Sequence, residues 1–280
     1  MLVGQSDTAY WCKCFRCVDG GVVEKELTLE QKAAMLAADA ELKQVPYGTV
    51  ALPPDATEEL SAACLAYLGR RGITGSRAKE LGLRYSPGSN RLLICVYGGK
   101  SNTTHYGTQP RFITARLMGW TRQSTRPKHY CIGCNDVCIL CEAEDNLYDD
   151  VIVLTEDQLS AWAVARITDS ISCNSTSASS VVLSRCMGYG TVVVWLDGDV
   201  AGIAGAKRIK SRLSLLGKQV VSVQSEYDPK EYSQREIIHI IGEASGQQIT
   251  KDSKAQRKLS SINWDTRPKE HRLRSIRYLR

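Results

Sequence analysis

The 280-residue sequence contains no apolar run that approaches the roughly eighteen residues a membrane-spanning helix needs. Its first fifteen residues, MLVGQSDTAYWCKCF, include neither a basic amino-terminal region nor an apolar segment of the kind that directs secretion. It has no internal repeat and no long low-complexity tract. We therefore expect a cytoplasmic protein, in which 43% hydrophobic residues suffice to bury a core.

Eleven cysteines would indicate disulfides in a secreted protein, but in a cytoplasmic one their clustering indicates thiolates that bind a metal ion. Pairs at C-x-x-C spacing present two sulfur atoms to one tetrahedral zinc ion. The first cluster has three thiolates and needs a fourth ligand from elsewhere, whereas the second can close a site alone. The clusters are Cys12, Cys14 and Cys17, and Cys131, Cys134, Cys138 and Cys141.

Two alternatives to zinc stay open for these clusters. Cysteines at short spacing also suit an iron-sulfur cluster, and reduced structural thiols are the third reading. His129 is a spare ligand beside the second cluster. The remaining cysteines stand alone and are expected to be small buried hydrophobic residues. They are Cys64, Cys95, Cys173 and Cys186.

Positive charge is concentrated in two parts of the chain. Residues 251–280 contain ten Lys or Arg against three acidic residues, whereas the whole chain has a net charge of only +6. This tail is either a clamp for a nucleic-acid backbone or a solvated terminus. Residues 109–128 contain five basic residues and no acidic one, which predicts a binding surface for DNA. These five are Arg111, Arg116, Arg122, Arg126 and Lys128.

From about residue 150 strands and helices alternate, which predicts an α/β fold with a doubly wound parallel sheet. Apolar runs predict strands at 151–154, 191–196 and 219–223, and VVLS at 181–184 is a further candidate strand. Upstream, a capping box at Thr28 and Gln31 begins one predicted helix. Two more helices follow, and then the strand RLLICVYGG with FITARLMGW as its expected partner strand, so the chain is α+β overall.

Acidic residues follow three of the predicted strands. Glu156 follows the first, Asp197 and Asp199 follow the second, and Asp228 lies beyond the third. Ligands of open parallel sheets bind at the carboxyl ends of the strands, so these side chains are expected to converge. Clustered carboxylates need a cation between them, and their hard oxygen atoms suit magnesium or manganese. For Asp157 and Asp228 a role as helix cap or turn residue stays open.

Three segments in this order resemble the motifs of the TOPRIM fold: VIVLTEDQLSAWAVA, VVVWLDGDVAGIAGAKRIKSRL and YDPKEYS. The resemblance is to DnaG-like primases and to the primase part of phage primase-helicases. RLLICVYGGK, FITARLMGW and RPKHY are similar to the phage-primase stretch that lines the template channel. AYWCKCFRC is similar to the second half of the zinc ribbon, which helps related primases to select a template trinucleotide. The resemblance covers most of residues 10–235.

The resemblance implies a nucleotidyltransferase with a two-metal site. Glu156 would hold a metal ion or act as a general base near the attacking 3′-hydroxyl. Asp197 and Asp199 would hold the magnesium or manganese ions, and Asp228 would complete the cluster. Lys230 would lie close enough to contact phosphate. Many relatives have glycine after the motif glutamate, whereas this chain has Asp157.

The implied function is that of a DNA primase, which makes RNA primers on single-stranded DNA from nucleoside triphosphates during phage or plasmid replication. In a phage setting it would work in the host cytoplasm. No Walker A motif is present, because the near match Gly99-Lys100-Ser101 has Ile94 in place of its first glycine, so a separate helicase is expected. A TOPRIM nuclease and a non-catalytic, zinc-containing adaptor that binds single-stranded DNA are the alternatives.

The predicted domain organisation has four parts. A partial zinc ribbon is expected at 1–25, followed by a helical, basic, template-binding subdomain with the second cysteine cluster at 26–145. The TOPRIM catalytic domain is expected at 146–240, and the basic tail at 241–280.

Overall fold

The computed structural model describes most of the chain from residue 49 onwards, together with the backbone of three short amino-terminal strands. Structural statements below concern these residues. The described ranges are 49–97, 109–133, 140–143, 146–247 and 275–279, with strand backbone at 2–5, 9–13 and 20–24.

Several predicted features lie outside the described residues, and for these the sequence predictions stand untested. They are the helix beginning at Thr28, residues 251–274 of the tail, the side chain of Cys12, and Cys14, Cys17, Cys134 and Cys138.

Two of the three sheets are antiparallel. The amino-terminal strands pair in the order β1-β2-β3, and a second sheet has the order β4-β5-β6-β7. The predicted pairing of RLLICVYGG with FITARLMGW is confirmed, because β5 and β6 pair over six residues. The elements are β1 Leu2–Gln5, β2 Ala9–Lys13, β3 Gly20–Glu24, α1 Ala62–Gly69, α2 Gly75–Glu80, β4 Arg84–Ser86, β5 Arg91–Val96, β6 Phe112–Leu117 and β7 His129–Gly133.

The third sheet has six strands, of which the four central ones are parallel, and short antiparallel strands pair at its two edges. Its strand order is β13-β12-β11-β9-β10-β8. The two edge strands lie outside the range 146–240 predicted for the catalytic domain. The elements are β8 Leu140–Cys141, β9 Val151–Thr155, α3 Gln158–Val164, β10 Asp169–Ser172, α4 Ser180–Cys186, β11 Thr191–Trp195, α5 Val200–Leu215, β12 Gln219–Gln224, a 3-10 turn Pro229–Glu231, α6 Gln234–Ser245 and β13 Arg277–Leu279.

Helices cover both faces of this sheet, so the predicted doubly wound α/β fold is confirmed. Residues of α3 and α6 pack with alternate residues of β9, β11 and β12 in one core. Residues of α4 and α5 pack on the other face with the intervening strand residues. The central strands β9 and β11 are buried along their whole length. Burial on both faces explains their continuous apolar runs.

The prediction that VVLS at 181–184 forms a strand is wrong, because this segment is part of α4. The Ser179 hydroxyl accepts a hydrogen bond from the Val182 amide and caps the helix. Val182, Leu183 and Cys186 then face the core at helical spacing. The fourth parallel strand is β10, whose sequence Asp-Ser-Ile-Ser carries no apolar run.

A shared core joins the four-stranded sheet to the six-stranded one. Leu68 of α1, Ile94 of β5 and Phe112 of β6 pack in one cluster with Leu159 and Trp162 of α3. Phe112 is therefore a core residue and does not lie on a surface where bases could stack. This packing fixes the position of β6 relative to α3, and β7 pairs with β6.

The four lone cysteines are buried, as predicted. Among the described helices, none combines the length and apolar character needed to cross a bilayer.

Candidate active site

A cleft of about 240 Å³ lies between the two larger sheets. The six-stranded sheet lines it with acidic residues at the carboxyl ends of its strands, whereas β6, β7 and the end of α1 contribute basic and aromatic residues. Both kinds of predicted site residue therefore meet in one cleft. The acidic residues are Glu156, Asp157, Asp197, Asp228 and Glu231, and the others include Arg116, Lys128, His129, Tyr67 and Arg71.

Three carboxylates of the cleft come within reach of a single cation. One oxygen atom each from Asp157, Asp197 and Asp228 lies within 4.8 Å of the other two. These residues follow β9, β11 and β12, whose parallel register brings their carboxyl ends together. The convergence predicted from the sequence thus places Asp197 and Asp228 side by side, with Asp157 as the third member.

Asp157 holds its position through helix capping. Its Oδ1 accepts hydrogen bonds from the Leu159 and Ser160 amides at 2.9 and 3.0 Å, which begins α3. Its Oδ2 accepts a hydrogen bond from the Lys230 ammonium at 2.5 Å. Burial raises the pKa of Asp157, but Lys230 and these hydrogen bonds outweigh it and hold the pKa below its usual value. Both the cap role and a role in the cluster therefore apply to Asp157.

Lys230 bridges two members of the acidic cluster. Its Nζ donates to Asp157 Oδ2 at 2.5 Å and to Asp228 Oδ2 at 2.6 Å, and the residue is only 8% exposed. Burial alone would lower the pKa of Lys230, but Asp157, Asp228 and Asp197 raise it well above its usual value. Lys230 is therefore a fixed positive charge inside the cluster, and it also lines the cleft.

Glu156 and Asp197 each present a buried oxygen atom that has no hydrogen-bond partner among the described residues: Glu156 Oε2 and Asp197 Oδ1. Burial, then the charges of Asp199, Asp157 and Asp228, raise the pKa of Glu156, although the Asp197 amide opposes this. Burial raises the pKa of Asp197 to about 8 against the opposing charge of Lys230, and the carboxylates of Asp228, Asp157 and Glu156 add to the rise. Leaving such atoms unpaired is costly unless a cation or proton compensates them.

This electrostatic arrangement predicts a pH-dependent stability. The pKa of Asp197 is about 8 in the folded protein and near 3.8 when unfolded, so the folded state binds more protons between these values. Stability contributed by protonated Asp197 is therefore lost as the pH rises from about 4 through 8. We expect the melting temperature to fall between pH 6.5 and 8.0 by more in the wild type than in Asp197→Asn. Equal falls in the two proteins would contradict this assignment.

The buried, unpartnered oxygen atoms fit a hard divalent cation. Carboxylate oxygen atoms are the ligands that magnesium and manganese prefer, and a cation between them would compensate their charge. Asp197, Asp228, Asp157 and Glu156 are the described residues that would hold such an ion.

Asp199 caps a helix next to the acidic cluster. Its Oδ1 accepts a hydrogen bond from the Gly202 amide at 2.7 Å and caps α5, and the residue is exposed. Asp199 is not one of the three carboxylates grouped within 4.8 Å. Its charge nevertheless raises the pKa of Glu156. Ligation of a metal ion by Asp199 stays a prediction.

The basic side of the cleft is built around an aromatic ring. The guanidinium groups of Arg71 and Arg116 lie 3.8 and 4.5 Å from the centroid of the Tyr67 ring. Arg71 also forms an ion pair with Glu231, which ties the end of α1 to the turn that carries Lys230. Burial, then the charges of Lys128 and Arg116, lower the pKa of His129, which favours its neutral imidazole.

The predicted basic patch divides into two parts. Arg116 and Lys128 line the cleft, whereas Arg111, Arg122 and Arg126 are exposed and are not among the residues that line it. Arg126 donates a hydrogen bond to the Ser89 carbonyl. Lys128 Nζ lies 5.7 Å from the centroid of the Trp120 ring, which is half-buried.

The two described members of the second cysteine cluster lie in different sheets. Cys131 is exposed on β7 and lines the cleft two residues after His129. Cys141 is buried on β8, where its Sγ accepts a hydrogen bond from Gln158 Nε2 at 3.2 Å. Zinc binding by this cluster stays a prediction, as it does for the amino-terminal cluster.

Tyr67 and Arg71 belong to the cleft and were not among the residues proposed from the sequence. Arg71 lies in the segment GRRG, which predicts a turn between two glycines and does not match a catalytic motif. Their contribution depends on the packing of α1 against α3, which links residues about ninety positions apart. The pairing of Asp157 with Lys230, 73 residues away, depends on the same kind of long-range contact.

A comparison with known families covers the acidic side of this cleft. Residues 155–233 match a family described as Toprim-like. The matched segment begins at the end of β9 and extends through the turn that carries Asp228 and Lys230, so it contains every acidic residue of the cleft. The chain therefore includes a Toprim-like domain. No curated protein sequence matches the chain.

Solved structures similar to this one include three primase fragments. The chain aligns over its whole length with 81% of the zinc-binding and RNA polymerase domains of the Aquifex aeolicus primase, at 13% identity and a TM-score of 0.41. It aligns over 93% of its length with 96% of the primase fragment of the bacteriophage T7 primase-helicase, at 13% identity and a TM-score of 0.44. It aligns over 76% of its length with 82% of the RNA polymerase domain of Mycobacterium tuberculosis primase DnaG, at 15% identity and a TM-score of 0.41.

Proposed function

We propose that this protein, through its Toprim-like domain, is a DNA primase that joins ribonucleotides on a single-stranded DNA template during phage or plasmid replication. The observation that carries the proposal is the cleft in which Glu156, Asp197 and Asp228 meet Arg116 and Lys128. A template and nucleoside triphosphates are its proposed substrates, and a separate replicative helicase is its proposed partner. The primase motifs of the sequence lie on both sides of this cleft.

The two sides of the cleft suit the two charges of a phosphoryl-transfer reaction. The acidic side offers oxygen ligands for a cation, while Arg116 and Lys128 offer positive charge to phosphate oxygen atoms. Nucleotidyl transfer requires mainly that the reacting groups are positioned and that developing charge is neutralised. A cleft with both kinds of side chain supplies these two requirements in one place.

The acidic residues take distinct roles in this proposal. Asp197, Asp228 and Glu156 would hold magnesium or manganese, which would neutralise charge on the phosphates that the reaction joins. In the alternative role of Glu156 as a general base, its raised pKa would bring its carboxylate closer to the range in which a base can accept a proton from the 3′-hydroxyl. Lys230 keeps Asp157 and Asp228 in place through two charged hydrogen bonds.

The basic side predicts a difference between two arginines of the 109–128 patch. Arg116→Gln should raise the KM for ribonucleotides about tenfold, because loss of one charge-assisted phosphate contact costs about 1.4 kcal/mol. Arg122→Gln removes the same charge from outside the cleft and serves as the matched control, with a change of less than about twofold in the KM. Steady-state incorporation at fixed salt concentration measures both. Equal effects of the two variants would place the nucleotide outside the cleft.

The reaction class is tested by incubating the protein with mixed-sequence single-stranded DNA, labelled ribonucleotides and magnesium or manganese. Short labelled oligonucleotides made by the wild type and absent with Asp197→Ala support the proposal. Degradation of the DNA with no synthesis would instead identify a Toprim-like nuclease. Binding of DNA with neither product would identify an adaptor without catalytic activity.

A further inference from the structure

Lys230 is a buried positive charge in a place where acidic residues are expected to bind metal ions. It is 8% exposed, and its Nζ lies 2.5 Å from Asp157 Oδ2 and 2.6 Å from Asp228 Oδ2. Lysine is rarely buried to this extent unless it is paired. The two carboxylates here are also two of the three that come within 4.8 Å of one another. The ammonium group therefore lies at the acidic cluster itself.

The position of this ammonium group is fixed from both sides. Asp157 cannot turn away without losing its hydrogen bonds to the Leu159 and Ser160 amides, which begin α3. On the other side, Lys230 belongs to the 3-10 turn Pro229–Glu231, and Glu231 forms an ion pair with Arg71 of the neighbouring subdomain. Lys230 therefore has a fixed position in the cluster, unlike a surface lysine whose side chain exchanges between partners.

The remaining ligand atoms of the cluster lie on other residues. Glu156 Oε2 and Asp197 Oδ1 are buried and have no hydrogen-bond partner among the described residues. Asp157 and Asp228, by contrast, each give an oxygen atom to Lys230. The carboxylates therefore divide into a pair with oxygen atoms available to a cation and a pair that share one ammonium ion, which compensates one of their two negative charges.

We propose that the Lys230 ammonium takes the place of one divalent cation in the acidic cluster, so that the chain binds a single Mg²⁺ or Mn²⁺ until a nucleotide arrives. Glu156 and Asp197, which each have a buried oxygen atom without a hydrogen-bond partner among the described residues, are among the ligands of this ion. A second divalent ion beside Asp157 and Asp228 is repelled by the adjacent ammonium group, and the nucleotide's own phosphates must supply its ligands. This inference rests on the divalent-cation site of the proposed function and specifies its stoichiometry.

The number of bound ions tests this inference without any measurement of activity. The protein, in its zinc-supplemented form and without nucleotide, is titrated with Mn²⁺ while electron paramagnetic resonance reports the free ion. A variant with Glu156→Gln, Asp197→Asn and Asp228→Asn together gives the ions bound outside the cleft, which are subtracted. We expect one Mn²⁺ per chain in the cleft of the wild type. Two Mn²⁺ ions per wild-type cleft would overturn the inference.

Lys230→Met tests the same inference from the other direction, because it removes the ammonium and keeps much of the side-chain volume. We expect this variant to bind a second Mn²⁺ ion. One ion bound with unchanged affinity would show that Lys230 does not compete with a cation. In case the single variant does not fold, Asp157→Asn combined with Lys230→Met removes both charges of one ion pair. We expect the double variant to bind one ion with an affinity within about threefold of the wild type. No bound ion would overturn the inference.

The proposed function and this inference fail in different ways. One Mn²⁺ per wild-type cleft together with no primer synthesis would reject the primase activity and support the inference that the cleft binds a single cation. Primer synthesis together with two Mn²⁺ ions in the absence of nucleotide would reject the inference and keep the activity.

Discussion

Replacing Asp197 with Asn is expected to lower the rate of ribonucleotide incorporation on the order of 10³-fold and to raise the melting temperature measured without divalent cations. The activity falls because a ligand for the catalytic cation is lost, and each factor of ten corresponds to about 1.4 kcal/mol. The stability rises because Asn removes a negative charge that burial and three neighbouring carboxylates disfavour. Primer synthesis and thermal unfolding of the same preparation measure the two effects.

Two control substitutions distinguish this result from general damage to the protein. Asp149→Asn changes an exposed carboxyl outside the cleft and should alter neither quantity. Asp199→Ala removes the cap of α5 and should lower the free energy of unfolding by about 1 kcal/mol. This loss of stability is opposite in sign to the gain expected for Asp197→Asn. A lower melting temperature in Asp197→Asn would show that the charge of Asp197 is compensated within the protein.

The second large effect is expected at Gly198, between the two aspartates of the motif. A Cβ atom at this position would lie 2.0 Å from the Ser225 carbonyl oxygen. Ser225 cannot move aside easily, because its hydroxyl accepts from Trp195 Nε1 at 2.7 Å and donates to the Tyr227 carbonyl at 2.7 Å. Gly198→Ala must therefore displace the backbone that carries Asp197. We expect about 1–3 kcal/mol lower stability and about 10²-fold lower incorporation.

Gly188→Ala is the matched control for this substitution. Gly188 is also exposed, and the nearest atom to its added Cβ would be the Arg185 carbonyl oxygen at 3.8 Å, an ordinary contact distance. Primer synthesis and chemical denaturation should both remain near wild-type values in Gly188→Ala. Equal losses in the two alanine variants would show that the close approach of Ser225 is not the cause.

The sequence predicted the elements whose patterns are local. Continuous apolar runs located β9 and β11, because strands buried on both faces favour apolar residues at successive positions, and the mainly apolar segment QVVSV located β12. The acidic residues after these strands then followed from the geometry of a parallel sheet, which brings Asp197 and Asp228 together. The Toprim-like match over 155–233 agrees with the motifs recognised there.

The features that the sequence missed depend on tertiary contacts. The segment Asp-Ser-Ile-Ser forms β10 because β8 and β9 pair with it on both sides, although it has only one apolar residue. VVLS became part of a helix because the Ser179 hydroxyl caps it, which outweighs the β-propensity of its valines. The ion pairs of Lys230 likewise join segments that no periodic pattern relates.

The central claim is that this cleft joins ribonucleotides under the direction of a DNA template, and the composition of the product tests it most directly. Two single-stranded templates that differ only in whether they contain dA would be incubated with all four ribonucleotides, of which UTP is labelled. The account predicts labelled oligonucleotides on the template that contains dA and none on the template that lacks it. Equal labelling on both templates, or labelled product in the absence of DNA, would contradict the account.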